Sequence, residues 1–332
     1  MNGHERGVPH HHPTRRDLLR MGLGAFLVSA VPFSWHRRTL VRRTVPVMGT
    51  IAEFAVLTVD PRLAHQAIHA AIDELRAVER TMSRFDHTSD IGRANHGAAA
   101  DGVPIGDDTA LVLQEALRWA EASDGAFDPC IGKALELWDV MHRHAPPPAR
   151  NVHALAGRRF YRGMDVSRWQ GSAAVRFTTG DIQVDLGGIA KGYAVDRAVA
   201  ALRNRGIDRA LINVGGDLYA LGRAPSGDPW NIGIRSPHDP SRLAGTLELT
   251  DAAVATSGDY LQYFQYAGRR YHHILDPRTA APRLTPTHSV SVTASSCMHA
   301  DAAATAIFGM QQADAERVVA RRGHDAKIVS AI

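Results

Sequence analysis

The segment Asp185-Leu186-Gly187-Gly188-Ile189-Ala190-Lys191-Gly192-Tyr193 joins two adjacent glycines, a helix start and a lysine. Glycines without side chains let backbone N–H groups approach an anion, the start of a helix adds the positive pole of its dipole, and Lys191 adds a full charge. That is the chemistry of a phosphate cradle, and a ligand carrying a diphosphate is the first expectation. A glycine turn also serves as plain connection between strand and helix, so other parts of the chain must decide. Further polar residues gather at Met48-Gly49-Thr50, Asn213-Val214-Gly215-Gly216-Asp217, Thr256-Ser257-Gly258-Asp259-Tyr260, His272-His273-Ile274-Leu275-Asp276-Pro277-Arg278-Thr279 and Asp301-Ala302-Ala303-Ala304-Thr305. Their carboxylates, hydroxyls and imidazoles can bind a cation or move a proton. Taken singly, a Gly-Gly-Asp turn joins strands, and an aspartate at a helix start caps it.

The elements that must hold these groups follow from patterning. Thr44 to Val59 alternates around Met48-Gly49-Thr50, predicting two strands joined at a glycine. Asp60 caps a helix with Pro61 in its first turn, and Ile68, Ile72, Leu75, Val78 and Met82 recur on one face. A second helix is predicted from about Thr109 to Ala122, stopped by Asp124-Gly125, and a third from Gly132 to Met141. The proline-rich stretch from Ala145 to Arg150 reads as a loop and a candidate subdomain boundary. Strands are then predicted at 174–177, 182–186, 211–214, 219–221, 231–235, 245–249, 271–275 and 289–294. One helix from Ala190 to Arg205 interrupts them, and another begins near Met298. Strands outnumber crossover helices, so the expected class is α+β, a largely antiparallel sheet flanked by helices.

Composition bounds the function. The chain has 332 residues, 45% hydrophobic, with a net charge of +4. Residues 1–43 hold eight arginines against Glu5 and Asp17, which leaves the body slightly acidic. Nucleic-acid binding, which needs clustered cations to displace counterions, is excluded as an expectation. Cys130 and Cys297 stand in apolar surroundings and are expected to be two buried thiols. Thr14-Arg15-Arg16-Asp17-Leu18-Leu19-Arg20 precedes an apolar run from Met21 to Val31, too short for a membrane span of roughly 20 residues. It resembles a twin-arginine export signal over residues 1–31, with Val28 and Ala30 as small residues for cleavage. The expectation is an exported, periplasmic protein with no membrane span in its mature form; an arginine pair ahead of an amphipathic helix is the plainer alternative. No cysteine follows the apolar run to carry a lipid.

Six motifs in this order, from Met48-Gly49-Thr50 to Asp301–Thr305, resemble those of the ApbE-type FAD:protein FMN transferases, over about residues 44–310. The resemblance implies one ApbE-like domain at 44–332, in one or two subdomains around a flavin cleft. It further implies that FAD is bound as substrate, that a Ser or Thr hydroxyl of an acceptor in an electron-transfer system attacks the flavin-side phosphorus, and that AMP leaves. Such transfer needs charge neutralisation, alignment and help with a proton. Magnesium, which prefers oxygen ligands and shares phosphates, is the expected cofactor. Asp301 and Thr305, four apart on a helix, share a face and can reach one ion. Similarity adds the backbone oxygen of Ala190 and that of Ala304. The plain alternative is a capping aspartate and a packed threonine.

His273 is the expected catalytic base, because imidazole titrates near neutral pH and the resemblance assigns it that role. His272 should point to the other side of its strand and not substitute for it. Asp276 is the second candidate, as base or as orienter beside Pro277. Lys191, Gly187 and Gly188 are expected to hold FAD, Met48 to touch the isoalloxazine ring, and Ser257, Asp259 and Asp128 to line the cleft, Asp128 being equally readable as a turn residue. One departure stands out. The family follows Asp-Pro-Arg-Thr with glycine, whereas this chain has Ala280. If that position needs a positive φ, alanine costs about 1 kcal/mol or somewhat more. Two rivals remain open: a FAD diphosphatase, with water as nucleophile, and a non-catalytic FAD carrier.

Overall fold

The computed structural model describes residues 26–28, 38–169, 171–239, 241–323 and 325–331. Its centre is a seven-stranded sheet of β1 (Thr39–Val47), β2 (Thr50–Thr58), β3 (Ala210–Val214), β4 (Asp217–Leu221), β5 (Ala252–Gly258), β6 (Ser289–Ala294) and β7 (Lys327–Ala331). The spatial order equals the chain order and each neighbouring pair is antiparallel. Two turns make the site possible. Met48 (φ 53°) and Gly49 (φ 67°) reverse β1 into β2, and Gly215 (φ 61°) and Gly216 (φ 103°) reverse β3 into β4. Two successive left-handed residues match the twist of the flanking strands.

Both faces of the sheet are covered, so β3 and β4 are buried at every position. On one face lie the helices α1 (Pro61–Met82), α2 (Ala190–Arg203) and α3 (Cys297–Ile307), which share the main core with Phe54, Val56, Ile212 and Val292. On the other, Trp230, Ile232, Ile234 and Leu249 pack on Ala55, Leu211, Leu218, Ala220 and Val254. Residues of β2 alternate between these two cores, the period-two rule of a strand. The expected α+β class with an antiparallel sheet holds. Helix α1 also follows the expected pattern, with Asp60 accepting the Arg62 N–H at 2.8 Å and Ile68, Ile72, Leu75, Val78 and Met82 buried.

Several expectations are corrected. Ile182–Leu186 is not a strand: beyond one isolated bridge, Gln183 to Ile131, its backbone is satisfied by other partners. The Asn95 side chain takes both polar groups of Val184, at 2.6 and 2.9 Å, and Asp185 N–H bonds Pro129 O at 2.8 Å. A side-chain amide mimics a strand edge, so alternation in burial appears without a ladder. The strand expected at 271–275 is two, Arg269–His272 and Leu275–Asp276, broken at His273. The third helix stops at Trp138 because Asp139 turns left-handed (φ 31°). The proline stretch runs into a helix, Ala149–Leu155, which Pro148 precedes. Cys130 and Cys297 are both buried free thiols.

Ala280 adopts φ 51°, as feared for a glycine position, while its carbonyl accepts the Trp138 indole N–H at 2.7 Å. Its buried methyl joins a small core of Trp138, Val152, Phe264 and Leu275, which offsets part of the left-handed cost. Of the leader, Phe26–Val28 pairs antiparallel with the Trp230–Arg235 strand; the Arg15-Arg16 pair lies outside the described residues. Among the described residues no helix is long and apolar enough to cross a membrane.

Helices α2 and α3 meet closely at Gly192. A Cβ there would stand 2.3 Å from Cys297 O and 2.8 Å from Met298 Cα, both backbone, so the helices would have to separate. Gly192→Ala is therefore expected to cost about 1–3 kcal/mol, the usual range for overpacking. Thermal melting followed by circular dichroism checks it, and an unchanged midpoint would refute the close approach.

Candidate active site

The site forms where α2 begins and α3 passes over it. The segment Leu186–Ile189 turns tightly, with Ala190 N–H bonded to Leu186 O at 2.8 Å. Asp185 opens it: one carboxylate oxygen accepts Gly187 N–H at 2.7 Å, the other meets Arg84 Nε at 2.6 Å. Gly188 lies directly against α3. A Cβ on it would be 2.9 Å from Thr305 Cγ2 and 3.0 Å from Thr305 Oγ1, with Phe127 at 3.2 Å. One turn earlier on α3, Asp301 accepts the Gly192 N–H at 3.1 Å and faces Lys191 Nζ at 3.2 Å. From β5, Ser257 Oγ comes within 3.2 Å of Thr305 Oγ1. Three motifs more than a hundred residues apart at the extremes thus meet around Asp301 and Thr305.

Lys191 does not project freely toward a ligand. Its ammonium bonds Asp217 at 2.7 Å, Asp301 at 3.2 Å and Gly187 O at 3.2 Å. Burial by itself favours the neutral amine, but the two carboxylates outweigh it and raise the proton affinity of Lys191, which stays charged. Asp217, 2% exposed, has its proton affinity raised by burial first and by the Asp301 carboxylate second. Asp217 and Asp301 thus share one ammonium, and the raised proton affinity of Asp217 favours a single ionised carboxylate opposite it. Sequence reading did not single out Asp217; its place in the Gly-Gly-Asp turn was the available signal. The Arg84 guanidinium that holds Asp185 lies 4.3 Å over the ring of exposed Phe85.

His273 stands at the break after the 269–272 strand, its N–H bonded to Gln262 O at 3.1 Å. Its ring Nδ1 is 3.3 Å from the same carbonyl. A carbonyl only accepts, so Nδ1 carries the proton and Nε2 keeps its lone pair. Burial, then the neighbouring His272, push its pKa down to about 4, which leaves the imidazole neutral at neutral pH. His272 is buried and fully engaged: Nε2 donates to Arg283 O at 2.9 Å and Nδ1 accepts from Ile274 N–H at 3.3 Å. The two histidines point to different partners and do different work.

The remaining expected residues divide. Asp276 closes the Pro277 turn, accepting Arg278 N–H at 2.9 Å and pairing with its guanidinium at 2.9 Å. Burial opposes its ionisation, yet the bonds from Arg278 prevail and its pKa is lowered, which suits an orienter of the loop better than a base. Asp259 spends both oxygens on Arg270 and His288, each at 2.8 Å. Asp128 accepts Cys130 and Tyr161 N–H groups at 2.8 and 3.3 Å, and burial lifts its pKa to about 6. Its neighbour Phe127, not Asp128 itself, reaches Gly188. Met48 is half-buried on its turn, which Glu79 anchors by accepting the Met48 N–H at 2.8 Å. Ala304 is buried between Asp301 and Thr305 on α3.

The ApbE family profile matches residues 48–329. The chain belongs to the ApbE family. Among its relatives, a FAD:protein FMN transferase of Treponema pallidum is 34% identical over 279 residues, covering 79% of this chain and 76% of that protein. One from Vibrio cholerae is 31% identical over 82% of this chain and 84% of its own length. Among solved structures, an ApbE protein of Thermotoga maritima superposes with a TM-score of 0.77 at 29% identity, covering 88% of this chain and 94% of its own. The flavin transferase ApbE of Vibrio cholerae gives 0.76 at 27% identity, covering 88% and 93%. The ApbE fold accounts for the sheet and for the three helices that bring the motifs together.

Proposed function

We propose that this ApbE-family chain transfers FMN from FAD to a Ser or Thr hydroxyl of an acceptor protein in an electron-transfer system, releasing AMP. One observation carries the reading: Asp301 and Thr305 of α3 lie against Lys191 and Gly188 of the glycine cradle, so a carboxylate, a hydroxyl and the cradle form one site.

The donors fit magnesium. Asp301, Thr305 and the carbonyls of Ala190 and Ala304 offer oxygen only, the donor type magnesium prefers. Among the described residues no three His, Cys, Asp or Glu side chains converge, which leaves one carboxylate plus hydroxyl and carbonyls, with substrate phosphates to complete the shell. Bound there, magnesium would neutralise charge on the diphosphate oxygens.

The chain's own groups supply the rest. Gly187 and Gly188 admit the diphosphate to the start of α2. Lys191 holds Asp217 and Asp301 in place as their counter-charge. His273 Nε2 takes the proton of the acceptor hydroxyl as its oxygen bonds to the flavin-side phosphorus and the bond to the AMP oxygen breaks. We further propose that the twin-arginine leader exports the protein, so that the transfer occurs outside the cytoplasm.

Incubating a co-expressed candidate acceptor with FAD and magnesium should add the mass of FMN to it and release AMP. Free FMN formed regardless of acceptor would instead make the chain a diphosphatase, and intact FAD a carrier. Gly188→Ala forces Thr305 aside by a few tenths of an ångström and is expected to cost about 10–100-fold in transfer, the scale of lost ligand support, with an unchanged melting temperature. Full activity in that variant would remove the Gly188–Thr305 contact from the site.

A further inference from the structure

Helix α3 carries Asp301 and Thr305 but has little of its own to fix its register. Its sequence, Cys-Met-His-Ala-Asp-Ala-Ala-Ala-Thr-Ala-Ile, is mostly small residues, and Ser296 at its N-cap makes no side-chain capping bond. Smooth faces of alanine interlock weakly with their neighbours, so rotation and sliding are poorly resisted. A helix turns 100° per residue, so even a small slip would carry Thr305 away from Gly188.

Two charges from distant elements grip its ends. At the start, Asp196 of α2 accepts Cys297 N–H at 2.8 Å, Met298 N–H at 3.0 Å and the Ser296 hydroxyl at 2.7 Å. At the finish, the Arg283 guanidinium donates to the carbonyls of Ala306, at 3.4 Å, and Phe308. Its other nitrogen donates to Ala126 O, next to the Phe127 that touches Gly188. Each charge has the sign that the helix dipole favours at that end. Arg283 is also tied to both neighbours of His273: its carbonyl accepts from His272, and its N–H bonds Ile274 O at 3.0 Å.

We propose that Asp196 and Arg283 are positioning residues that clamp α3 at both ends and thereby set where Asp301 and Thr305 meet the glycine cradle. This rests on the reading of that cradle as the metal-assisted transfer site. Asp196 also fixes α3 to α2 directly, four residues after Gly192 allows the helices to touch. The clamp therefore sets helix spacing and helix rotation together.

The test uses the full chain with Asp196→Asn, Arg283→Lys, Arg283→Met and Ser296→Ala. Readouts are the MgCl2 concentration for half-maximal thermal stabilisation without FAD, amide exchange over residues 297–305, and kcat and KM for FMN transfer. Asp196→Asn and Arg283→Met should raise the MgCl2 requirement and lower kcat by about 10–100-fold, with KM for FAD changed far less. Amides of α3 should exchange faster while far-ultraviolet circular dichroism is preserved. Arg283→Lys, which keeps the charge, should recover part of the loss. Ser296→Ala removes one bond of three and should give the same changes in milder form, which serves if Asp196→Asn does not fold. Folded variants with the wild-type MgCl2 requirement, exchange and kcat would overturn the clamp. A wild type that transfers no FMN, alongside variants that still loosen α3 and weaken magnesium binding, would overturn the proposed function and leave the clamp standing.

Discussion

Asp301→Asn and Asp301→Ala are both expected to reduce FMN transfer by at least about a thousandfold, which corresponds to roughly 4 kcal/mol of transition-state stabilisation. Asn keeps an acceptor for the Gly192 N–H, now 3.1 Å from Asp301, and removes only the charge. Burial and Asp301 together raise the proton affinity of Asp217, so losing the Asp301 charge relieves a repulsion inside the protein. Asp301→Asn also removes one of the two carboxylates that keep Lys191 charged, so it should melt no higher than the wild type while being inactive. Asp301→Ala leaves a buried N–H without its partner, which costs about 1–3 kcal/mol, and should melt lower with the same loss of activity. Mass gain on the acceptor and calorimetric melting separate the two effects. Undiminished labelling in either variant would take Asp301 out of the proposed metal site.

His273→Gln should lower kcat by about 10²–10⁴-fold, the range for removal of a positioned base, with little effect on KM for FAD. Its pH profile is the sharper test. Burial and His272 depress the pKa of His273 to about 4, so Nε2 keeps its lone pair as the pH falls from 8 toward 5. The acid limb belonging to this group is expected near pH 4 and not near the ordinary imidazole value of about 6.5. Below that value the ring is protonated, the base form disappears and the rate falls tenfold per pH unit. An acid limb near 6.5, or a limb that survives in His273→Gln, would assign proton transfer to another group. Asp276 is the group to examine then, although its pairing with Arg278 at 2.9 Å already commits it to the ionised form.

Local features of this chain were legible because short-range physics controls them. Helix α1 follows from Asp60, Pro61 and a 3.6-residue apolar stripe, and the Met48-Gly49 turn follows from a glycine between two alternating runs. The two buried thiols were legible because cysteine in an apolar stretch packs as a small hydrophobe, whereas the left-handed φ of Ala280 was only a condition attached to the ApbE glycine position. The order of polar turns was enough to indicate the ApbE family. Where local pattern misled, a distant partner was responsible. Ile182–Leu186 alternates like a strand, but the Asn95 side chain takes the place of a neighbouring ladder.

By itself, then, the sequence determined which groups are present, which turns they occupy and which faces are apolar, since these depend on residues within a few positions of one another. Tertiary structure alone decided what those groups touch. It turned Lys191 inward onto Asp217 and Asp301, set Thr305 against Gly188, freed Nε2 of His273 while engaging His272, and spent Asp259 and Asp276 on arginines. The Lys191 pairings span 26 and 110 residues, whereas Asp276 meets an arginine two positions on. They depend on how α2 and α3 pack across the sheet, and the short buried distances between charges that set proton affinity and metal preference exist only once that packing is complete.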